Sequence, residues 1–419
     1  MKKYLNRLIE TAIKRELEAL GCVAIEGPKW CGKSTTGERF AKTVIKLQNP
    51  ITFRQYATFA ATSKENLLRG EKPLMFDEWQ KIPDIWDFIR TDIDETGLAG
   101  QYILTGSAKP LEDQKRHSGT GRIAKITMRP MSLWESGDST GEVSLKDLFD
   151  GNDNVFGKSK LSLDDLTFVT CRGGWPETVI KPMQALTLAA DYYKSLTTED
   201  IKDIDGIKRN PRRAQAVLRA YARNISTYAA NTTIQADVAA NDSTIDIKTF
   251  SSYVSAFEKL YVIENIAAWS PRLRSKSIIR TTDKRQFVDP SVAAIALGAK
   301  PRDFLNDLNT FGFFFESLCD RDLRIYAQRL EGELYHYHDG DGLEADAIIH
   351  LNDGRWGAVE IKVGGNQIEE AAKNLLKLKN KVDLSQIKKP SFLMVLTGVP
   401  NAYKRQDEVL VVPIGCLKD

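Results

Sequence analysis

The chain has 419 residues, of which 42% are apolar and 27% are charged. These proportions are those of ordinary globular proteins, so they exclude a disordered chain, a collagen-like fibre and a small disulfide scaffold. The formal net charge is only +3, so no overall field requires a polyanionic partner, and any nucleic-acid surface would have to be local.

Neither a membrane span nor a signal peptide is predicted. No run approaches the roughly 18 uncharged apolar residues of a membrane helix, and charges occur throughout the amino-terminal segment. The five cysteines are widely spaced without a CxxC pair, which favours reduced thiols and no structural zinc. We therefore expect a protein of the cytoplasm.

The amino-terminal third has the pattern of a parallel α/β sheet. Helical periodicity over 4–19 precedes a short apolar run at 22–25, which is typical of a buried strand. Further strands are predicted at 73–76 and 102–104, with helices between the strands at 34–42, 63–69 and 84–96. In such a sheet a bound nucleotide lies at the carboxyl ends of the strands.

The segment GPKWCGKST matches the phosphate-binding pattern GxxxxGK[ST], and it stands between a predicted strand and a predicted helix. Its two glycines let backbone N–H groups surround phosphates. Lys33 can reach the β- and γ-phosphates, and the Ser34 hydroxyl can ligate Mg²⁺. We therefore predict that ATP and Mg²⁺ bind to this segment, which consists of Gly27, Pro28, Lys29, Trp30, Cys31, Gly32, Lys33, Ser34 and Thr35.

Two carboxylates end the predicted strand at 73–76. Asp77 would hold the hydrated Mg²⁺, and Glu78 would polarise the water that attacks the γ-phosphate. The next strand runs into a segment with two hydroxyls, Thr105 and Ser107, either of which could contact the γ-phosphate or the water. The spacing does not choose between them.

Together these segments resemble an AAA-type ATPase family that is common in bacteria and archaea and carries winged-helix and PD-(D/E)XK nuclease-like regions towards its carboxyl terminus. The resemblance rests on GPKWCGKST, LMFDEWQKIPDIW, YILTGSA, SGTGR and RPMS. It implies that Arg122 is the arginine near the γ-phosphate, with Arg116 and His117 as alternatives. An arginine that acts on a neighbouring chain would require a homo-oligomer, and the sequence leaves open in which chain Arg122 acts.

The middle of the chain predicts a connector and a winged helix. The connector has one short helix near 145–149 and a turn before a helix that begins at Pro176. Three helices and two strand-like runs follow, at 213–226, 234–240, 247–260, 262–269 and 286–288. Residues 272–285 contain six cations and one acid, and this basic wing could contact DNA phosphates.

The last 110 residues predict a helix at 311–326 and three strands at 333–338, 344–351 and 355–363. A three-residue loop with Gly354 in the left-handed conformation would place Asp346 directly opposite Glu360. A second Mg²⁺ site is thereby predicted on Glu316, Asp346 and Glu360, with Lys362 beside it to activate water, as in PD-(D/E)XK nucleases. The alternative is a nuclease-like fold without activity. His336 and His338 could bind a metal, but an exposed strand face is the favoured interpretation.

The predicted fold class is α/β, and it divides into four parts. They are a P-loop ATPase domain at 1–135, a loop-rich helical connector at 136–210, a winged-helix domain at 211–300 and a nuclease-like α/β domain at 301–419. Two functions remain open. One is an ATPase that binds or processes nucleic acid; the other is a nucleotide-controlled signalling or oligomerisation switch whose nuclease-like domain is a non-catalytic scaffold.

Overall fold

The computed structural model describes residues 4–107, 119–241, 245–270, 282–382 and 387–419. Its amino-terminal domain contains a five-stranded parallel sheet in the order β2-β3-β4-β1-β5. The strands are β1 (Cys22–Glu26), β2 (Thr43–Lys46), β3 (Leu74–Asp77), β4 (Tyr102–Gly106) and β5 (Ile123–Thr127). The predicted parallel α/β sheet is therefore confirmed. Because β4 lies between β1 and β3, the carboxyl ends of these three strands are neighbours.

The helices of this domain differ from the prediction in number and length. They are α1 (Glu10–Ala19), α2 (Lys33–Gly37), α3 (Pro50–Thr62), α4 (Lys64–Leu67) and α5 (Ile85–Thr96). Helix α1 begins at Glu10 rather than near residue 4, and the Glu10 side chain accepts from the Arg7 backbone N–H at 2.9 Å at this start. Helix α3 was not expected; Asn49 caps it and Pro50 begins it.

The middle of the chain is mainly helical. Its elements are α6 (Leu133–Ser136), β6 (Val143–Ser144), α7 (Leu145–Phe149), β7 (Gly157–Lys158), α8 (Leu163–Arg172), α9 (Pro176–Ile180), α10 (Ala185–Ser195), a π-helical turn (Leu196–Asp200), α11 (Ile201–Asp203), α12 (Pro211–Arg223), α13 (Asn231–Asn241), α14 (Ile247–Lys259), α15 (Pro290–Leu297) and α16 (Pro301–Asn306). The short helix near 145–149 and the helix that begins at Pro176 are confirmed.

The prediction of two strands in the wing is wrong, because the described residues there form no regular strand. In the described part of the segment, residues 262–288 form only isolated bridges, of which Ile263–Phe287 and Ile266–Lys284 are antiparallel. The side-chain oxygen of Asn265 accepts from the Gln286 N–H at 3.2 Å, which interrupts the backbone ladder between these bridges. Residues 271–281, which carry most of the predicted basic wing, lie outside the described residues.

The carboxyl-terminal domain packs the long helix α17 (Leu308–Arg329) and α18 (Ile368–Lys381) on a seven-stranded mixed sheet. The sheet order is β7-β12-β13-β11-β10-β9-β8. The added strands are β8 (Gly332–His338), β9 (Glu344–Leu351), β10 (Trp356–Lys362), β11 (Leu393–Thr397), β12 (Asn401–Lys404) and β13 (Leu410–Pro413), while β14 (Leu417–Lys418) pairs with β6. Strands β6 and β7 thus join the connector to this domain.

The register of the β9–β10 hairpin is the predicted one. Gly354 has a φ of 83°, and the Leu351 N–H donates to the Arg355 carbonyl at 2.8 Å. His350 therefore pairs with Trp356, and Ala347 pairs with Val359. One step further along the strands, Asp346 and Glu360 face each other.

None of the helices in the described ranges combines the length and the apolar composition of a membrane span. All five cysteines are buried free thiols.

Candidate nucleotide site

The loop between β1 and α2 has the backbone of a phosphate-binding loop. Gly27 and Gly32 have φ values of 149° and 104°, in the range that favours glycine. A Cβ atom on Gly27 would lie 2.1 Å from the Met128 carbonyl oxygen, so no other residue fits there. Arg7 holds the backbone of the loop, because its guanidinium donates to the Cys31 carbonyl at 2.7 Å. The Cys31 side chain is buried and turns towards Met128, so only its backbone can face a phosphate.

Lys33 and Ser34 begin α2, and both side chains are held by the protein itself. The Lys33 ammonium donates to the carbonyls of Gly27 and Pro28 at 2.9 and 2.7 Å. The Ser34 hydroxyl donates to Asp77 Oδ1 at 2.6 Å. A hydroxyl beside a carboxylate supplies the hard oxygen ligands that Mg²⁺ prefers, so these residues fit a magnesium ion bound with ATP.

The two hydroxyls at the carboxyl end of β4 donate to different carboxylates. Thr105, which is opposite Asp77 in the parallel register, donates to Asp77 Oδ1 at 2.6 Å. Ser107 donates to Glu78 Oε2 at 2.9 Å. Glu78 itself has a φ of 58°, a strained value for a residue other than glycine that is often found at functional sites. The structure therefore brings the predicted acids and both candidate hydroxyls together beside the P-loop.

A cavity of about 730 Å³ opens above these residues. Six of its lining residues belong to the P-loop, and Glu78 is a seventh. Four others were not predicted, and they are Gln48, Lys81, Pro176 and Glu177. Gln48 could have been found from the sequence, because it lies just beyond the carboxyl end of β2.

The Gly-Gly-Trp turn at 173–175 places the next two residues, Pro176 and Glu177, at the cavity. A Cβ atom on Gly174 would lie 2.1 Å from the Met131 carbonyl oxygen, so the turn packs directly against the chain beyond β5. The Trp175 indole N–H donates to Ser291 Oγ at 3.0 Å and anchors the turn on α15. The helical middle of the chain therefore forms one wall of the cavity.

Arg122 does not reach this cavity in its own chain. Its carbonyl accepts from the N–H of Cys22, the first residue of β1, whereas the P-loop follows the last residue of β1. The exposed Arg122 side chain pairs instead with Asp94, with Nε 2.6 Å from Oδ1. Whether Arg122 acts on the γ-phosphate of a neighbouring chain stays a prediction. The alternatives Arg116 and His117 lie outside the described residues.

The predicted second metal site contains the expected residues, but two lysines already neutralise its carboxylates. Lys362 Nζ lies 3.1 Å from Asp346 Oδ2 and 2.9 Å from Glu360 Oε2. The fully buried Lys284 lies 2.8 Å from Glu316 Oε1 and 2.7 Å from the Asp346 carbonyl. Lys284 Nζ is also 2.7 Å from Asp320 Oδ2.

Burial also changes the acidity of these carboxylates. Burial raises the pKa of Glu316 to about 8 even though the Lys284 ammonium favours its ionised form. Burial likewise raises the pKa of Glu360, with Asp346 as the next cause. Across the described ranges, no three His, Cys, Asp or Glu side chains converge as a metal would require. Lysine ammonium groups thus lie beside the acids at which a second Mg²⁺ was predicted, and the assignment of Mg²⁺ to Glu316, Asp346 and Glu360 stays a prediction.

Two further expectations are corrected by burial. Lys284 and Arg285, the two wing cations in the described part of the chain, face the interior rather than a DNA backbone; the Arg285 Nε–H donates to the Ala229 carbonyl at 2.8 Å. His336, expected on an exposed strand face, is fully buried against the Tyr228 ring with centroids 4.8 Å apart.

Comparison with known proteins agrees with the amino-terminal geometry. Residues 21–136 match a family model described as an AAA domain. The amino-terminal domain is therefore similar to AAA domains, and this similarity supports ATP binding by this part of the chain. Residues 163–303 and 311–417 match two domains of unknown function, DUF8612 and DUF4143 respectively.

Two curated proteins match part of the chain. The uncharacterized proteins Mb2031c of Mycobacterium bovis and Rv2008c of Mycobacterium tuberculosis are each 24% identical over 135 residues. The chain spans 30% of the length of each relative, in an alignment that covers 31% of this chain. Among solved structures, the Walker-type ATPase PABY2304 of Pyrococcus abyssi is 15% identical, with a TM-score of 0.43, and the alignment covers 70% of this chain and 96% of that chain.

Proposed function

We propose that the protein binds ATP with Mg²⁺ at the P-loop, hydrolyses it, and acts as a nucleotide-controlled switch. The observation that carries the proposal is that the hydroxyls of Ser34 and Thr105 both donate to Asp77 Oδ1. Ser34, Lys33 and Glu78 line one cavity beside this oxygen.

Each residue then has a role that follows from its position. Lys33 would exchange the carbonyls of Gly27 and Pro28 for β- and γ-phosphate oxygens. Ser34 and Asp77 would hold the Mg²⁺, which when bound offsets charge on the phosphates. Glu78 would accept a proton from the attacking water. The water oxygen bonds to the γ-phosphorus as the bond to the bridging oxygen breaks, which yields ADP and phosphate.

The switch, rather than a nuclease, is the better supported use of the remaining domains. Lys284, which belongs to the middle of the chain, inserts among the acids of the nuclease-like site and takes the place of a metal. Pro176 and Glu177, which belong to the middle of the chain, also line the nucleotide cavity. A change at the nucleotide can therefore be transmitted to the helices while the carboxyl-terminal domain serves as a scaffold.

Two parts of the proposal concern partners. The four cations of 272–280, which lie outside the described residues, favour DNA binding as a second candidate function. The exposed Arg122 lies at the amino ends of the strands, whereas the P-loop follows the carboxyl end of β1. It would therefore serve catalysis only at the nucleotide of a neighbouring chain in a homo-oligomer.

The test is ATP turnover and calorimetric ATP binding by the wild type and Lys33→Ala. Lys146→Ala is the matched control, because Lys146 is an exposed lysine paired with Asp150 outside the cavity. We expect Lys33→Ala to lose binding and the control to match the wild type. A wild type that takes up no nucleotide would refute the proposal. Turnover that rises on addition of DNA would favour the second candidate over the switch.

A further inference from the structure

The P-loop makes an ion pair with the connector. Lys29 Nζ lies 2.5 Å from Asp200 Oδ1. Asp200 is buried and ends the π-helical turn Leu196–Asp200, which joins α10 to α11. Single π-helical turns within helices are uncommon and occur frequently at functional sites. The ion pair therefore connects the nucleotide loop to an irregular point of the helical middle domain.

The next residue of the loop contacts the same part of the connector independently. Trp30 has a φ of 69°, and its ring centroid lies 5.7 Å from that of Tyr192 in α10. Tyr192 in turn stacks on Trp175, with centroids 4.2 Å apart. Two consecutive loop residues, Lys29 and Trp30, thus contact the segment from α10 to Asp200.

Both loop residues also line the cavity that Lys33, Ser34 and Glu78 face. Lys29 lines that cavity and keeps 45% of its side-chain surface exposed while it pairs with Asp200. A triphosphate placed there would attract this ammonium and repel the Asp200 carboxylate. Phosphate and Asp200 therefore compete for one cation.

We infer that Lys29 is a positioning residue that exchanges Asp200 for the phosphate tail of ATP, and that this exchange releases the segment 196–203 from the P-loop. The inference rests on the proposed function, because it requires ATP in the cavity. It identifies the Lys29–Asp200 ion pair as the contact through which bound ATP would affect the middle domain.

The experiment is a double-mutant cycle measured by calorimetry with Mg·ATP, on a Glu78→Gln background so that hydrolysis does not interfere. Asp200→Asn should tighten ATP binding about two- to fivefold, the scale of one partly exposed ion pair. Lys29→Met should weaken binding, and Asp200→Asn should have no effect once Lys29 is replaced. Asp150→Asn is the matched control, since it removes the same charge from an exposed pair with Lys146.

Hydrogen exchange provides a second measurement that does not depend on affinity. ATP should speed amide exchange in 196–203 of the Glu78→Gln protein. In Lys29→Met the exchange should already be fast without nucleotide.

The outcomes separate the two claims. If the Glu78→Gln protein binds no ATP, the proposed function fails and the inference falls with it. If it binds ATP but Asp200→Asn changes nothing, or tightens binding equally without Lys29, only the inference is overturned.

Discussion

Tyr261 donates a hydrogen bond of 2.6 Å to Glu26 Oε2, and Glu26 is the residue directly before the first glycine of the P-loop. Tyr261 follows α14, so this bond links the middle domain to the strand that positions the nucleotide loop. Burial and the nearby Glu26 raise the pKa of Tyr261, which keeps its hydroxyl a donor at physiological pH. The other Glu26 oxygen is buried with no hydrogen-bond partner in the described part of the chain, so the tyrosine carries this contact.

Replacing Tyr261 by Phe should therefore destabilise the protein. The change removes the donor and leaves a buried Glu26 oxygen unsatisfied, which costs about 1–3 kcal/mol. Urea unfolding measures the loss, with Tyr403→Phe as the control because Tyr403 is exposed. Equal unfolding free energies for both variants would show that the contact does not stabilise the fold.

Glu78→Gln should bind ATP with wild-type affinity and hydrolyse it about 10²- to 10⁴-fold more slowly, because an amide cannot accept the proton of the attacking water. Single-turnover kinetics and calorimetry measure the two quantities separately. Glu18→Gln is the control, since Glu18 is exposed on α1 outside the cavity lining. Wild-type turnover in Glu78→Gln would remove Glu78 from the catalytic step.

Lys284→Met should cost about 3–5 kcal/mol in the free energy of unfolding, because Glu316 and Asp320 would lose the cation buried between them. Lys404→Met, which breaks the exposed pair with Asp153, should stay within about 0.5 kcal/mol of the wild type. The triple variant Lys284→Met, Glu316→Gln, Asp320→Asn should recover much of the loss. Mg²⁺-dependent DNA cleavage by the wild type that disappears in Asp346→Ala would contradict the scaffold role.

His336 should make the fold sensitive to acid. Burial, followed by the charge of Lys284, lowers the pKa of His336 to about 3. Between about pH 6.5 and 3 the unfolded chain therefore binds a proton at this position that the folded chain does not, so stability falls as the pH falls through this window. Urea unfolding at pH 7.5 and pH 5 should show a smaller difference for His336→Asn than for the wild type. An equal difference would mean that His336 does not contribute.

Arg122→Ala should leave the affinity for ATP unchanged, because Arg122 lies at the opposite edge of the sheet from the P-loop and pairs with Asp94. Calorimetry measures this, with Lys33→Ala as the positive control for lost binding. If turnover of the wild type rises with protein concentration and that of Arg122→Ala does not, Arg122 acts on a neighbouring chain. A loss of affinity equal to that of Lys33→Ala would contradict the placement of Arg122.

The parts of the molecule that could be predicted are those whose determinants are close together in the chain. The P-loop is one, because its glycines, Lys33 and Ser34 act within one turn and the start of one helix. The β9–β10 register is another, because the left-handed Gly354 and the length of its loop determine every pair along the two strands. The parallel sheet follows from alternating strands and helices in the same way.

Contacts between distant segments were decided only by the tertiary structure. The amino-acid sequence by itself determined the phosphate-binding loop, the two acids at the carboxyl end of β3 and the hairpin that brings Asp346 to Glu360. Only the packed chain placed Lys284 among the carboxylates, Asp200 beside Lys29 and Arg122 away from the P-loop. The physical reason is that periodicity and spacing describe neighbours along the backbone, whereas the partner of a buried charge is whichever opposite charge the packing of separate elements brings within reach.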